Sequence, residues 1–142
     1  MTLWERFKSH WKTAPDPLHL RHGKLGESAA KRHLQGLGLK FLVANYTSRR
    51  GEIDLIFRDH QCLVFVEVKT RSSESWTRPA AAVNARKRRL LSKTALAYLR
   101  RIHNPHIQIR FDIVEVLLSD GTVREIRHLP NTFCLAPPYR YG

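Results

Sequence analysis

The sequence contains only two cysteines, Cys62 and Cys134, which lie far apart and form no CxxC pair. A fold that depends on disulfides or on a cysteine-ligated metal therefore has no support in the sequence. We expect both cysteines to be reduced thiols, as is usual inside the cell.

Long apolar runs are also missing. No stretch approaches the roughly 20 apolar residues that span a membrane, and the N-terminus lacks the apolar core of a signal peptide. These absences predict a cytoplasmic protein with no transmembrane segment. The chain of 142 residues shows no internal repeat and is long enough for one domain with a sizeable core.

Acidic residues are scarce, because 12 Asp and Glu stand against 25 Lys and Arg and leave a net charge of +13. A charge of this size exceeds what solubility requires and favours a polyanionic partner. Nucleic acid is the partner that we predict, DNA in preference to RNA, and a homodimer is a candidate assembly.

A stretch near the middle of the chain predicts a β-hairpin. Residues 51–57 and 62–71 are dense in β-branched and aromatic side chains, and a polar break at 58–61 separates them. The second arm is apolar on both faces except at Glu67 and Lys69, which favours an inner strand over an edge strand.

A charged site falls on this hairpin. Strand side chains alternate between the two faces, so Glu67 and Lys69 point the same way. If Phe57 pairs with Cys62, Asp54 shares that face as a diagonal neighbour of Glu67, about 7–8 Å away. Two carboxylates at this distance can hold one ion between them, and ionised groups in such places are enriched at functional sites. The alternative is a half-solvated strand on which Glu67 and Lys69 merely pair with each other.

The remaining periodicity predicts two helices and three further strands. The helices are expected at 23–37 and 80–101, and the strands at 39–44, 107–118 and 123–129. A strong turn signal, Asp120-Gly121, joins the last two strands. The order α-β-β-β-α-β-β predicts an α/β fold with a mixed central sheet that is flanked by helices and has the hairpin strands in its middle.

Residues 1–22 are predicted to be an extension of this domain. Aromatic residues recur at helical spacing among basic residues between positions 4 and 11, and two prolines end this amphipathic helix before a linker at 16–22. The helix either contacts a membrane surface or a partner, or packs on the domain. The domain itself is expected at 23–133, and residues 134–142 form an irregular tail.

Two residues on the predicted helices have alternative roles. Glu27 lies in the first turn of the first helix, where the helix dipole favours it, but it can also reach toward the hairpin site. Lys87 lies on the buried side of the second helix and either extends out to solvent at the edge of the core or points into the site.

Basic residues near these elements form the predicted nucleic-acid-binding surface. Those of the second helix spread over several of its faces, and others lie in a loop at 45–50 and at the end of the hairpin. A solvated basic face is the alternative, which the total charge disfavours. The predicted residues are Arg49, Arg50, Arg71, Arg86, Lys87, Arg88, Arg89 and Lys93.

Two carboxylates and a lysine on adjacent strands of a basic protein suit metal-assisted hydrolysis of a phosphodiester. Mg²⁺, or Mn²⁺ in its place, takes oxygen ligands, commonly one or two carboxylates together with phosphate and water. Asp54 and Glu67 can supply these ligands, and the ion neutralises charge that builds up on phosphorus. Lys69 can orient or help to deprotonate the attacking water.

The arrangement of Asp54 followed by Glu67-Val68-Lys69 resembles the D…(D/E)xK signature of restriction-endonuclease-like nucleases. The chain also resembles the YraN-like family of bacterial proteins in the longer blocks GEIDLI, VFVEVKTR and RFD. That family is similar in its core to archaeal Holliday-junction resolvases. The resemblance covers about residues 23–133.

This resemblance implies a restriction-endonuclease-like core and specific residue roles. Asp54, Glu67 and Lys69 match the metal-binding and catalytic positions of the superfamily. Glu27 matches the acidic residue of its first helix, which adds a third candidate metal ligand, and Lys87 matches a polar position on its second helix. The residue before the aspartate departs from the pattern, because the superfamily has a proline there.

The function predicted from these features is that of a Mg²⁺- or Mn²⁺-dependent nuclease, with branched or recombining DNA as a candidate substrate. The first alternative is a non-catalytic nucleic-acid-binding protein that keeps the nuclease fold. Binding to phosphates gains nothing from two carboxylates, which favours the enzyme. A protein-interaction module is a further alternative, supported only by the aromatic face of the N-terminal extension.

Overall fold

The structure is a computed structural model that describes residues 17–72 and 83–141. The predicted amphipathic helix before residue 17 and the first three residues predicted for the second helix, 80–82, lie outside the described residues. The described elements, in chain order, are α1 (Pro17–Gly36), β1 (Lys40–Ser48), β2 (Gly51–Asp59), β3 (Cys62–Ser72), α2 (Ala85–Arg101), β4 (Gln108–Ser119) and β5 (Thr122–Phe133). The predicted order α-β-β-β-α-β-β is therefore confirmed.

The five strands form one mixed sheet in the order β1-β2-β3-β4-β5. All neighbouring strands are antiparallel except β3 and β4, which are parallel and are connected through α2. A parallel pair needs such a crossover, since a tight turn can only reverse the chain. The hairpin strands β2 and β3 lie inside the sheet, as the sequence predicts.

The two helices cover opposite faces of the sheet. Helix α1 buries Ala30 and Leu34 in an apolar cluster with strand residues such as Val66. Helix α2 buries Leu91 and other residues in a second cluster on the other face. Because β3 and β4 are covered on both faces, they are buried along most of their length, which explains their nearly continuous apolar sequences.

The register of the β2–β3 hairpin differs from the prediction. Asp59 pairs with Cys62 across a two-residue turn, so the predicted pairing of Phe57 with Cys62 is wrong by two residues. A contact distant in sequence accompanies the longer strand, because Arg110 Nη1 lies 2.9 Å from the Asp59 carboxylate. In the turn, His60 has a positive φ of 52°, a conformation that short hairpin turns require.

Helix α1 begins at Pro17, so the prediction of a linker at 16–22 is wrong for residues 17–22. Proline has no backbone N–H and a fixed φ, which suits the first position of a helix as well as the end of one. Helix α2 begins at Ala85, later than predicted, because Asn84 caps it by accepting a hydrogen bond of 2.9 Å from Lys87 N.

Strands β1 and β5 run furthest beyond their predicted ends. Strand β1 continues to Ser48 and so includes part of the predicted loop at 45–50. Strand β5 continues to Phe133. The Asp120-Gly121 turn is confirmed, with φ of 52° and 75° at its two residues. Of the helices in the described residues, none is both long and apolar enough to cross a membrane.

Candidate functional site

The candidate site begins where strands β2 and β3 separate. Their pairing ends at Leu55 and Val66. One step beyond, Asp54 Oδ2 accepts a hydrogen bond of 2.8 Å from the backbone N–H of Val68. A side-chain carboxylate thus replaces a backbone acceptor at this level of the sheet, and it is held in the gap between the strands.

The pairing of β1 with β2 is also irregular at this level. Ile53 and Leu55 would share a face in a regular strand, but they belong to the two opposite apolar clusters. Asn45 of β1 lies opposite Asp54, between the pairs Ala44–Leu55 and Tyr46–Ile53, and has a positive φ of 53°. Asparagine tolerates this conformation better than most residues, and the irregularity changes which residues face each side of the sheet.

Glu67 is the buried carboxylate of the site, with 6% of its surface exposed. Its Oε1 atom lies 3.4 Å from Lys69 Nζ and 3.5 Å from Lys87 Nζ. Its Oε2 atom is buried and has no hydrogen-bond partner among the described residues. Lys87 comes from α2, so it points into the site, which decides between the two roles that the sequence leaves open for it.

The carboxylates of Asp54 and Glu67 influence each other electrostatically. Burial raises the pKa of Asp54, repulsion from Glu67 raises it further, and the Val68 hydrogen bond only partly opposes them, so that the pKa reaches about 7. The pKa of Glu27 is also raised, first by burial and then by the charges of Glu52 and Glu67, against a hydrogen bond from Asn45. Burial and repulsion between neighbouring carboxylates therefore both disfavour full ionisation of this site.

These groups line one cavity of about 580 Å³, to which Glu27, Asp54, Glu67, Lys69 and Arg71 all contribute. Asp54, Glu67 and Lys69 all line this cavity, and they meet through the separation of two strands and not through the predicted register. Because α1 begins at Pro17, Glu27 lies in the middle of the helix, and the prediction that it occupies the first turn is wrong. Its side chain lines the cavity.

A close contact between α1 and β3 places Glu27 there. A Cβ atom on Gly26 would lie 1.8 Å from Thr70 Oγ1, so the helix backbone approaches the strand more closely than any other residue would permit. The next residue, Glu27, is thereby brought to the edge of the cavity. With the Asn45 amide oriented to donate, its nitrogen lies 3.2 Å from Glu27 Oε2.

The donor set suits a divalent cation that prefers oxygen. Among residues 17–72 and 83–141, no three His, Cys, Asp or Glu side chains already form a cage for a metal ion. Magnesium, however, is usually bound by one or two carboxylates with water and phosphate completing its shell. The unpartnered Glu67 Oε2 and the raised pKa of Asp54 are the features that a cation between the two carboxylates would relieve. The residues present therefore fit Mg²⁺ or Mn²⁺.

The predicted basic residues lie in three places, which are the β1–β2 turn, helix α2, and the end of β3, where Arg71 lines the cavity. Arg49 and Arg50 are exposed in the β1–β2 turn. This turn packs on α2, since a Cβ atom on Gly51 would lie 3.2 Å from Thr94 Oγ1. Arg86 and Arg89 are exposed on the same helix, so the turn and the helix form one basic surface.

Two other predicted residues of α2, Arg88 and Lys93, also make contacts within the protein. Arg88 Nε donates to Val83 O at 3.2 Å, and its guanidinium lies 5.4 Å from the centre of the Phe133 ring. Lys93 Nζ lies 6.0 Å from the centre of the Tyr139 ring. Arg86 and Arg89 are therefore the stronger candidates on this helix for contact with phosphate.

Sequence reasoning missed Asn45 and Glu115. Asn45 falls within a segment predicted to be a loop, where an asparagine is unremarkable. Glu115 is fully buried in β4, and its only sequence signal is a charge within an otherwise apolar strand. By contrast, the buried Asp112 of the same strand is fully paired, with His128 Nε2 at 2.7 Å and Arg110 Nε at 3.0 Å.

The chain matches known proteins over the whole site. Residues 26–116 match the family model described as "Uncharacterised protein family UPF0102". A UPF0102 protein of Trichlorobacter lovleyi is 44% identical over 115 residues, which cover 80% of this chain and 91% of that protein. UPF0102 proteins of Nocardia farcinica and Porphyromonas gingivalis are 42% and 40% identical and cover 78% and 82% of this chain. These names state a family and no activity. With the fold, the site and this similarity together, the chain belongs to the uncharacterised protein family UPF0102, which is the YraN-like family that its sequence resembles.

Proposed function

We propose that this protein is a divalent-cation-dependent nuclease that hydrolyses phosphodiester bonds in nucleic acid. The observation that carries the proposal is the Glu67 carboxylate, which is buried beside Asp54 with one oxygen unpartnered among the described residues. A buried carboxylate oxygen without a partner is costly, and a second carboxylate beside it increases the cost. A bound cation would satisfy both groups, whereas a surface that only binds phosphates has no use for either.

In this proposal Asp54 and Glu67 hold Mg²⁺ or Mn²⁺, and Glu27 contributes from α1. When bound, the ion supplies an activated water and neutralises charge that develops on phosphorus. The Val68 N–H fixes the orientation of the Asp54 carboxylate through its 2.8 Å hydrogen bond. Fixed ligands of this kind need little rearrangement when substrate binds.

The two lysines at Glu67 have different positions and therefore different proposed roles. Lys69 follows Glu67 on the same strand and lines the cavity, where it can hold or orient the attacking water. Lys87 comes from α2 with 41% of its side chain exposed, and it can offset negative charge on the scissile phosphate. The exposed arginines of α2 and of the β1–β2 turn then extend the phosphate-binding surface.

Branched or recombining DNA is the substrate class that we propose, from the resemblance to Holliday-junction resolvases. The excess of 13 positive charges supports a nucleic-acid partner of some kind. The two free cysteines, Cys62 and Cys134, are compatible with the cytoplasmic location that such a partner requires.

The experiment that tests the proposal is a cleavage assay of the purified protein. It compares junction, flap, single-stranded and linear duplex DNA with matched RNA, each with Mg²⁺, with Mn²⁺ and with EDTA. Cleavage of at least one substrate that disappears in EDTA is the expected result. Absence of cation-dependent cleavage on every substrate, together with binding that survives EDTA, would replace the nuclease with the non-catalytic nucleic-acid-binding protein.

A further inference from the structure

Glu115 is a buried carboxylate to which the proposed mechanism gives no role. Its side chain is 0% exposed, and neither of its oxygens has a hydrogen-bond partner among the described residues. A carboxylate in this position is costly unless it is paired in some state of the protein. Unsatisfied buried groups in native proteins call for such an explanation, and a partner that arrives in another state provides one.

The sheet register identifies two cations beside Glu115. In β4 it pairs with Lys69 of β3 on one side and with Arg127 of β5 on the other. Paired residues on neighbouring strands project to the same face, so all three side chains share the face that also carries Glu67. Arg127 already has an acidic neighbour, since its Nε atom lies 3.5 Å from Glu125 Oε1.

Lys69 can reach either carboxylate. Neighbouring strands are about 4.8 Å apart, whereas residues two apart on one strand are separated by about 6.6 Å. The backbone of Glu115 is therefore nearer to Lys69 than the backbone of Glu67 is, yet the ammonium lies 3.4 Å from Glu67 Oε1. The flexible four-carbon stem of lysine allows the ammonium to move between two acceptors on one face.

We propose that Lys69 has two positions, one on Glu67 in the protein without cation and one on Glu115 when a divalent cation is bound at Glu67. This inference rests on the proposed function. The ammonium groups of Lys69 and Lys87 already lie at Glu67, so a cation there would be a third positive charge around one carboxylate. The resulting repulsion displaces Lys69, which has another acceptor. Lys87 comes from α2 and is not paired with Glu115 in the sheet, and Glu67 is the acidic group with which it forms an ion pair among the described residues.

Glu115 is then a positioning residue. It receives Lys69 when the cation arrives, so that the displaced ammonium has an acceptor within the protein and does not extend into solvent. The same movement pairs the buried carboxylate of Glu115 in the state that acts on substrate. The cation satisfies the unpartnered Oε2 atom of Glu67, and Lys69 satisfies Glu115, so both are paired in one state.

The test measures Mn²⁺ affinity by calorimetry in the absence of nucleic acid. The proteins are wild type, Glu115→Gln, Lys69→Met, the double variant, and Glu125→Gln as a matched control on the neighbouring strand. Glu115→Gln removes the second acceptor, so Lys69 stays on Glu67 and competes with the cation. We expect Mn²⁺ to bind about 10-fold more weakly, the size usual for groups that support metal ligands. In the Lys69→Met background, where no ammonium competes, Glu115→Gln should have no effect.

The outcomes separate this inference from the proposed function. If wild type binds no Mn²⁺, the cation site itself is wrong and both are abandoned. If wild type binds Mn²⁺ and Glu115→Gln binds it equally well, only the two-position lysine is overturned. The same conclusion follows if Glu115→Gln lowers the Mn²⁺ affinity by the same factor in the presence and in the absence of Lys69. Should Glu115→Gln not fold, a crystal structure of wild type with Mn²⁺ decides: Lys69 Nζ at Glu115 supports the inference, and Lys69 Nζ still at Glu67 or in solvent refutes it.

Discussion

The backbone N–H of Val68 donates a 2.8 Å hydrogen bond to the Asp54 carboxylate at the level where the β2–β3 ladder has ended. This bond favours the ionised carboxylate, whereas burial and the charge of Glu67 disfavour it and prevail.

Asp54 should make stability depend on pH when no divalent cation is present. Its pKa is about 7 in the folded protein against 3.8 as its ordinary value, so the folded state holds the proton more tightly than the unfolded state. The contribution to stability is fully present below about pH 4 and is lost as pH rises through about 7. Asp54→Asn removes this loss. The free energy of unfolding of the variant relative to wild type should therefore rise by about 1–3 kcal/mol between pH 4 and pH 8, which is less than a fully buried carboxylate would give because solvent screens the group.

Urea unfolding in EDTA across this pH range measures the effect, with the exposed Glu125→Gln as the control for loss of a carboxylate. Parallel stability curves for wild type and Asp54→Asn would show that Asp54 ionises without cost in the folded protein. The inference that Asp54 and Glu67 repel each other in the folded protein would then have to be abandoned.

Glu67→Gln should abolish stabilisation by divalent cations. At pH 8, Mg²⁺ or Mn²⁺ should raise the melting temperature of wild type, because binding to the folded state alone adds stability. The variant keeps the shape of the side chain but loses its charge, so the shift should disappear and cleavage should fall by orders of magnitude. Lys69→Met should keep the shift in melting temperature and lose only rate, since it removes no cation ligand. Equal shifts in wild type and Glu67→Gln would exclude Glu67 as a ligand.

Gly26→Ala should destabilise the protein even though alanine favours helices. Its new Cβ atom would lie 1.8 Å from Thr70 Oγ1, so α1 must move away from β3. We expect a loss of about 1–3 kcal/mol from overpacking and a displaced Glu27. Gly36→Ala is the matched control on the same helix, because its added Cβ atom meets nothing within 4 Å. This variant should gain up to about 1 kcal/mol of stability. Partial rescue by Thr70→Ala would identify the contact, and equal effects of the two glycine variants would contradict it.

The basic surface formed by α2 and the β1–β2 turn should determine the salt dependence of nucleic-acid binding. Each phosphate neutralised on duplex DNA contributes about −0.9 to the slope of log affinity against log salt. Reversing Arg86 and Arg89 to glutamate should weaken binding and reduce the magnitude of this slope by about 2. Lys40→Glu with Arg58→Glu makes the same charge change at exposed positions near the other end of β1 and β2 and should leave the slope unchanged. Fluorescence anisotropy over a salt series measures both, and an unchanged slope in the α2 variant would place the interface elsewhere.

The sequence by itself determined the order of the elements and the identity of the central charges. Apolar periodicity and β-branched composition are properties of neighbouring residues, and they were sufficient to predict two helices, five strands and the Asp120-Gly121 turn. The charges Asp54, Glu67 and Lys69 stood out because ionised residues are rare on inner strands.

Only the tertiary structure decided how these residues meet. The hairpin register, the start of α1, the direction of Lys87 and the complete burial of Glu115 depend on contacts between residues far apart in sequence. Arg110 with Asp59 and Lys87 with Glu67 are examples, separated by 51 and by 20 residues. Local propensity carries no information about such pairs, because their energies arise only once the sheet and both helices are in place.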